Sequence, residues 1–271
     1  MRHLGHGLGL RAEHYAHAIT DMRGVDWFEA ITENFLVAGG NPRRVLRAVR
    51  ERAPVALHGV SLSIGSTDPL DERYLRAVRA LCDEVEPAFV SDHLCWSSLG
   101  GHTVHDLWPM PYTEAALDHL VARVAHVQER LGRRLYLENP SSYLAFAASE
   151  LSEAYFLAAL ARRADCGILL DVNNVYVSCR NNGWSADAYL AALPLDRIGY
   201  VHVAGHTREG TLLNDTHDQP VCDEVWALYD TLVERAGPLP TCLERDANIP
   251  PFEELVAELA RARPTEVRRA G

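Results

Sequence analysis

Two short apolar runs, Leu135-Tyr136-Leu137-Glu138-Asn139-Pro140 and Ile168-Leu169-Leu170-Asp171-Val172-Asn173, flank a stretch with helical periodicity at Leu151–Ala164. Each run is too short for an ordinary helix and is apolar at successive positions, as a strand covered on both faces must be. Each also stops at a carboxylate. A strand, a helix and a second strand of this kind read as one parallel βαβ unit.

The same alternation extends in both directions. Further strands are expected at Gly5–Leu10, Val25–Thr32, Val55–Val60, Phe89–Cys95, Ile198–Ala204 and Thr241–Glu244. Helices are expected at Glu13–Met22, Pro42–Arg52, Asp71–Val85, Thr113–Leu131, Ala186–Leu193, Asp223–Arg235 and Phe252–Ala262. Asn41-Pro42 and Ser66-Thr67-Asp68-Pro69 carry the capping side chains and early prolines of helix entries. Eight strand–helix units in 271 residues predict an α/β fold of the (β/α)8 TIM-barrel kind, with 1–271 as a single domain. An open doubly wound sheet is the alternative.

Composition narrows the chemistry. Hydrophobic residues make up 48% of the chain and charged residues 23%, and the formal net charge is -11. An acidic chain lacks the general cationic surface that nucleic acid requires. All 26 basic residues are Arg, so Schiff-base chemistry, pyridoxal phosphate anchoring and the Gly-Lys-Ser/Thr phosphate loop have no amine to use. The six Cys form no Cys-x-x-Cys unit, which argues against thiolate zinc and iron–sulfur sites. No apolar run reaches the ~18 residues of a membrane span and no signal peptide is evident, so a cytoplasmic protein is expected. Thirteen His residues, by contrast, point to metal or acid–base chemistry.

In a barrel, the site lies at the C-terminal ends of the strands. Those ends carry His58, Asp92-His93, Glu138-Asn139, Asp171 with Asn174, His202, and Glu244-Arg245-Asp246, and a loop adds Asp215 and His217. Burying such groups without partners costs several kcal/mol each. Imidazoles and carboxylates converging from six strands and one loop are most simply satisfied by divalent cations, and N/O donors without Cys suit iron, manganese or zinc. Asp92 and His93 face opposite sides of one strand, so one of the two belongs outside such a cluster. Histidines 3, 6, 14, 17, 119 and 126 lie at the terminus or on expected helices, where solvated roles are the default.

The strings Trp27-Phe28-Glu29, Leu57-His58-Gly59-Val60, Asp92-His93-Leu94, Leu137-Glu138-Asn139-Pro140-Ser141-Ser142-Tyr143, Leu170-Asp171-Val172-Asn173-Asn174, His202-Val203-Ala204-Gly205-His206 and Leu243-Glu244-Arg245-Asp246 span nearly the whole chain. With them the sequence resembles the multinuclear non-heme iron-dependent oxidative enzymes, also known as domain of unknown function 692. The resemblance implies a xylose-isomerase-like barrel holding two or three irons. It further implies O2-dependent modification of a ribosomally made precursor peptide, with Cys the preferred target, and a small partner protein that recognises the peptide's leader. On this resemblance His58, His93 and Glu138 hold one iron, and Glu138 bridges to a second held by Asp171, His202 and Glu244. Asp215 and His217, with Asn174, form a third position. Asp92, His206 and Asp246 are then candidate catalytic groups, and Asn139, Arg245 and Trp96 candidate substrate contacts. The ligand order also resembles endonuclease IV-type nucleases, in which a His stands where this chain has Asn174. A metal-dependent hydrolase or sugar isomerase on the same barrel is the alternative function.

Overall fold

A computed structural model describes residues 4–263; His3 lies outside them, as does the side chain of His105. Eight parallel strands close a barrel: β1 (His6–Gly9), β2 (Trp27–Ile31), β3 (Val55–Gly59), β4 (Phe89–His93), β7 (Tyr136–Glu138), β8 (Gly167–Asp171), β9 (Ile198–Val203) and β12 (Thr241–Leu243). They pair in chain order, and β12 returns to β1. The outer layer comprises α1 (Tyr15–Thr20), α2 (Asn41–Arg50), α3 (Glu72–Val85), α4 (Glu114–Leu131), α5 (Glu153–Arg163), α6 (Val172–Asn182), α7 (Ala186–Ala192), α8 (Asp223–Ala236) and α9 (Phe252–Leu259). No helix among the described residues is long and apolar enough to cross a membrane.

The period of two along each strand builds the barrel interior in tiers. Its floor is apolar: Trp27, Ala56, Phe89, Tyr136, Leu169, Tyr200 and Cys242 are buried together. Phe89 stacks on Tyr200 at 4.7 Å and Trp27 meets the same ring edge-on at 5.8 Å. Two residues further along the strands the inward positions become polar, with Glu29, His58, Ser91, Glu138, Asp171, His202 and Glu244 all buried. The alternate positions, among them Leu57, Val90, Leu137, Leu170, Val201 and Leu243, pack outward against the helices.

Several expectations need correction. The run read as a strand to Asn173 stops at Asp171, whose carboxylate caps α6 by accepting the Asn174 N–H at 2.6 Å. The strand placed at Phe89–Cys95 ends at His93. Beyond it the chain forms an antiparallel hairpin, β5 (Trp96–Leu99) and β6 (His102–Trp108). A second hairpin, β10 (Thr207–Glu209) and β11 (Leu212–Asn214), follows β9. Ser66–Pro69 stays in a loop, and α3 starts from Asp71, which caps it through the N–H groups of Arg73 and Tyr74. His6 and His14 are buried rather than solvated; His14 Nε2 meets the Pro250 carbonyl at 2.9 Å.

Candidate metal centre

Because β3, β4, β7, β8, β9 and β12 are in register, their terminal inward side chains meet over the apolar floor. His93 pairs with Glu138 across β4 and β7, and Asp171 with His202 across β8 and β9. Glu138 Oε2 lies 3.1 Å from His58 Nε2 and 3.4 Å from His93 Nε2. His202 Nδ1 lies 3.0 Å from Glu244 Oε2, 3.6 Å from Glu138 Oε1 and 4.0 Å from Asp171 Oδ2. His217 Nε2 stands 2.7 Å from Asp215 Oδ1, and its Nδ1 stands 3.2 Å from Glu244 Oε2.

Three contiguous groups of donors result: His58, His93 and Glu138; Glu138, Asp171, His202 and Glu244; and His217, Glu244 and Asp246. Glu138 and Glu244 each belong to two of them. His217 reaches its place with a left-handed backbone, φ 46°, and its carbonyl accepts the Asp246 N–H at 2.8 Å. That conformation is unfavourable for a non-glycine residue, so the loop is held by its contacts.

Glu138 Oε2, Asp171 Oδ2, Asn174 Oδ1, His202 Nδ1 and His217 Nε2 are buried without a hydrogen-bond partner. Glu138 Oε2, His202 Nδ1 and His217 Nε2 have a partner atom at 2.7–3.1 Å that is misaligned for hydrogen bonding, and Asp171 Oδ2 stands 3.8 and 4.0 Å from His217 and His202. Lone pairs that converge on the space between groups, rather than on one another, are the arrangement that divalent cations complete. The donors are imidazole nitrogen and carboxylate or amide oxygen, and they fit iron, manganese or zinc. A further buried group, Glu29, His202 and Cys242, fits less well, because burial and the Glu29 charge push the Cys242 thiol up and away from the thiolate a metal needs.

Without a cation the charges must compensate one another. Burial opposes charge on His58, but the Glu138 carboxylate overrides it and lifts the imidazole to about 9. His202 and His217 are raised in the same way against their own burial, by Glu29 and Glu244 for the first and by Asp215 for the second. His93 is lowered by burial despite Glu138. Burial would lift Glu138 and Glu244, yet the surrounding imidazoles hold both below the usual carboxylate range. Asp171 goes the other way, pushed up by burial.

The donors open into a cavity of about 940 Å³, walled on one side by Ser97, Ser98 and Thr103 of the β5–β6 hairpin. A separate apolar cavity of about 460 Å³, between Tyr112, Phe146, Tyr155 and Trp184, holds none of these donors.

The remaining expected residues are dispersed. Asp246, partly exposed at the rim, pairs with Arg11 and lies 3.4 Å from His217 Nδ1. His206 Nδ1 meets Asn173 Oδ1 at 2.8 Å, and Asn173 Nδ2 donates to Asp215 Oδ1 at 2.7 Å. Asp92 is not brought to the cluster: it faces α3, accepts the Leu62 N–H at 3.2 Å, and burial together with Glu33 pushes it up to about 8. Asn139 clamps β7 to β8, accepting the Asp171 N–H at 2.9 Å and donating to the Asp171 carbonyl at 3.0 Å. Arg245 points beneath α9 to Glu258 at 3.1 Å. Trp96 stacks on Trp108 at the base of its hairpin, at 5.7 Å, and donates to the Pro109 carbonyl.

Sequence reasoning assigned no role to Arg11, Glu29, Ser91, Asn173 or Tyr200, all of which touch the cluster or its partners. Arg11 Nη2 lies 3.3 Å from Glu244 Oε1, and Gly9 makes room for it, since a Cβ there would sit 2.9 Å from Arg11 Nη1. The available signal for Glu29 was a single charge inside the apolar strand Trp27–Ile31.

Residues 5–266 match the model of a family described as the RiPP precursor modification enzyme MbnB/TglH/ChrH, RiPP denoting ribosomally synthesised and post-translationally modified peptides. A UPF0276 protein of Anaeromyxobacter sp. strain Fw109-5 is 58% identical over 265 residues, covering 98% of this chain and 94% of the relative. One from Caulobacter vibrioides is 52% identical over 268 residues, covering 98% and 96%. Among solved structures, endonuclease IV from Thermus thermophilus superposes with a TM-score of 0.64 at 15% identity, over 95% of this chain and 98% of that one. The 3-keto-D-glucoside 4-epimerase YcjR from E. coli gives 0.60 at 17% identity, over 96% and 99%. These likenesses speak to the barrel fold alone. The sequence match, covering nearly the whole chain, decides the rest: the protein belongs to the MbnB/TglH/ChrH family of RiPP precursor modification enzymes.

Proposed function

We propose that the chain is an O2-dependent, multinuclear non-heme iron oxidase that modifies a residue, Cys by preference, of a ribosomally made precursor peptide. It would work as one catalytic domain over 1–271, in the cytoplasm, with a small partner protein that recognises the peptide's leader. The observation that carries this reading is the set of buried, unpartnered N and O donors converging at the barrel mouth. His58, His93 and Glu138 would hold one iron; Asp171, His202 and Glu244, with Glu138 shared, a second; Asp215, His217 and Asn174 a third.

Bound iron would supply one-electron chemistry with O2, which no side chain here can perform. The chain supplies the rest. Glu138 and Glu244, each facing two groups, would fix the spacing between the ions. The apolar floor closes the barrel beneath the donors, and the β5–β6 hairpin walls one side of their cavity. Asp246, at the rim, and His206, which reaches Asp215 through Asn173, would exchange protons with a bound peptide, while Asp92, Asn139, Arg245 and Trp96 would support the walls that position it.

Protein purified without oxygen should contain two or three irons per chain. It should consume O2 only when a Cys-bearing peptide encoded beside its gene is supplied with the partner protein, and the peptide's mass should change with that uptake. Full occupancy by zinc with no iron-dependent uptake would overturn this reading in favour of a hydrolase or isomerase.

A further inference from the structure

Beneath the donors runs a buried chain of hydrogen bonds that the proposed chemistry does not use. His58 Nδ1 lies 2.8 Å from Ser91 Oγ, Ser91 Oγ lies 2.6 Å from the Tyr200 hydroxyl, and that hydroxyl lies 2.7 Å from Glu29 Oε2. All four residues are at most 2% exposed, so water does not share these bonds.

We infer that Glu29, acting through Tyr200 and Ser91, is a positioning residue that fixes the tautomer of His58. The direction of every proton follows from the last acceptor. A carboxylate only accepts, so Tyr200 spends its one proton on Glu29. Tyr200 must then accept from Ser91; were the serine proton turned to the Leu57 carbonyl, 3.4 Å away, two lone pairs would face each other at 2.6 Å. With its own proton spent, Ser91 accepts from His58 Nδ1–H. In the neutral ring that a bound cation would require, the one proton is therefore held on Nδ1, and the lone pair of Nε2 is left for the cation on the side of Glu138, whose Oε2 lies 3.1 Å away.

The sequence positions agree with this directionality. Glu29, Ser91, Tyr200 and His58 are inward residues of β2, β4, β9 and β3, so the barrel wall itself sets the chain of contacts. The other oxygen, Glu29 Oε1, stands 2.8 Å from His202 Nε2 but off the hydrogen-bond axis, so the inference is confined to His58.

This inference rests on the metal-centre reading, and the test separates the two. The probe is zinc(II) alone, added to metal-free protein with 15N-labelled histidine. In the wild type, the His58 ring should show a protonated Nδ1 and a zinc-bound Nε2. Tyr200→Phe, which cuts the chain while leaving the ring packing, should mix the two His58 tautomers and weaken zinc binding at that position by roughly 10–100-fold. Glu29→Gln should do the same, whereas Ser91→Thr, which keeps the hydroxyl, should restore the wild-type spectrum. A His58 ring that binds zinc through Nδ1, or one unchanged in Tyr200→Phe, would overturn the tautomer assignment. A wild-type protein that binds no zinc at His58 would instead overturn the metal-centre reading. The wild-type spectrum tests the inference even if a variant fails to fold.

Discussion

Glu138 is the residue on which the centre turns. Three imidazoles approach its two oxygens, and together they hold it below the usual carboxylate range despite complete burial. Removing one member of a buried ion pair strands the others in a medium of low polarity, which costs about 3–5 kcal/mol. Glu138→Gln keeps the shape and removes the charge. At pH 6, where His58 is protonated, the metal-free variant should therefore be less stable than the wild type in urea unfolding by about 3–5 kcal/mol. Iron retention on gel filtration should fall to below half. Unchanged stability with unchanged iron would mean that the carboxylate is neither counter-charge nor ligand. Residue-level reading of the sequence found Glu138 because it ends an apolar strand. It did not assign Glu29, which sits inside one, and it placed Asn139 toward substrate when both ends of that amide are taken by the β8 backbone.

At the scale of elements, the junction of β8 and α6 divides one carboxylate between two tasks. Asp171 Oδ1 accepts the Asn174 N–H and caps the helix, while Oδ2 is left facing His202 and His217. Asn caps helices as well as Asp does, so Asp171→Asn should stay within about 0.5 kcal/mol of the wild type in urea unfolding and still lose metal. Asp171→Ala should lose metal and a further ~1 kcal/mol for the cap. Equal metal content in all three proteins would show that Oδ2 serves only the fold. This junction also marks where pattern reading stopped. Barrel strands are legible because burial on both faces makes each a solid apolar run. The helix α6 begins in the very next residue with Val172-Asn173-Asn174, a sequence with neither loop nor amphipathic period to announce it. The β5–β6 hairpin was hidden for a related reason: its half-exposed strands mix Trp, Ser, His and Asp, and nothing in that mixture separates them from a loop.

For the whole molecule, the formal charge of -11 is partly an interior quantity, since Glu29, Glu138, Asp171, Asp215 and Glu244 sit in or around the barrel mouth. Without cations, the protein balances these carboxylates with protons, and that makes its stability depend on pH. His58 is raised to about 9, and His202 and His217 are raised as well. A histidine whose folded value exceeds its unfolded value of ~6.5 stabilises the fold fully below that pH, and its contribution disappears as pH climbs through the folded value. Asp92, pushed up to about 8, and Asp171 act in the same direction, because the folded protein binds their protons more tightly than the unfolded chain does. Glu138 and Glu244 are depressed, so their contribution is intact above the ordinary carboxylate range and is lost only in acid. The sum has one sign between pH 6.5 and 9: metal-free protein should melt at progressively lower temperature across that window. Cations would replace the protons held by His58, His202, His217 and Asp171, so iron-loaded protein held under nitrogen should melt with a much shallower slope over the same range, the part left being that of Asp92 outside the cluster. Thermal unfolding with and without a chelator measures both curves, and two parallel curves would mean that no cation takes over the charge balance of this interior.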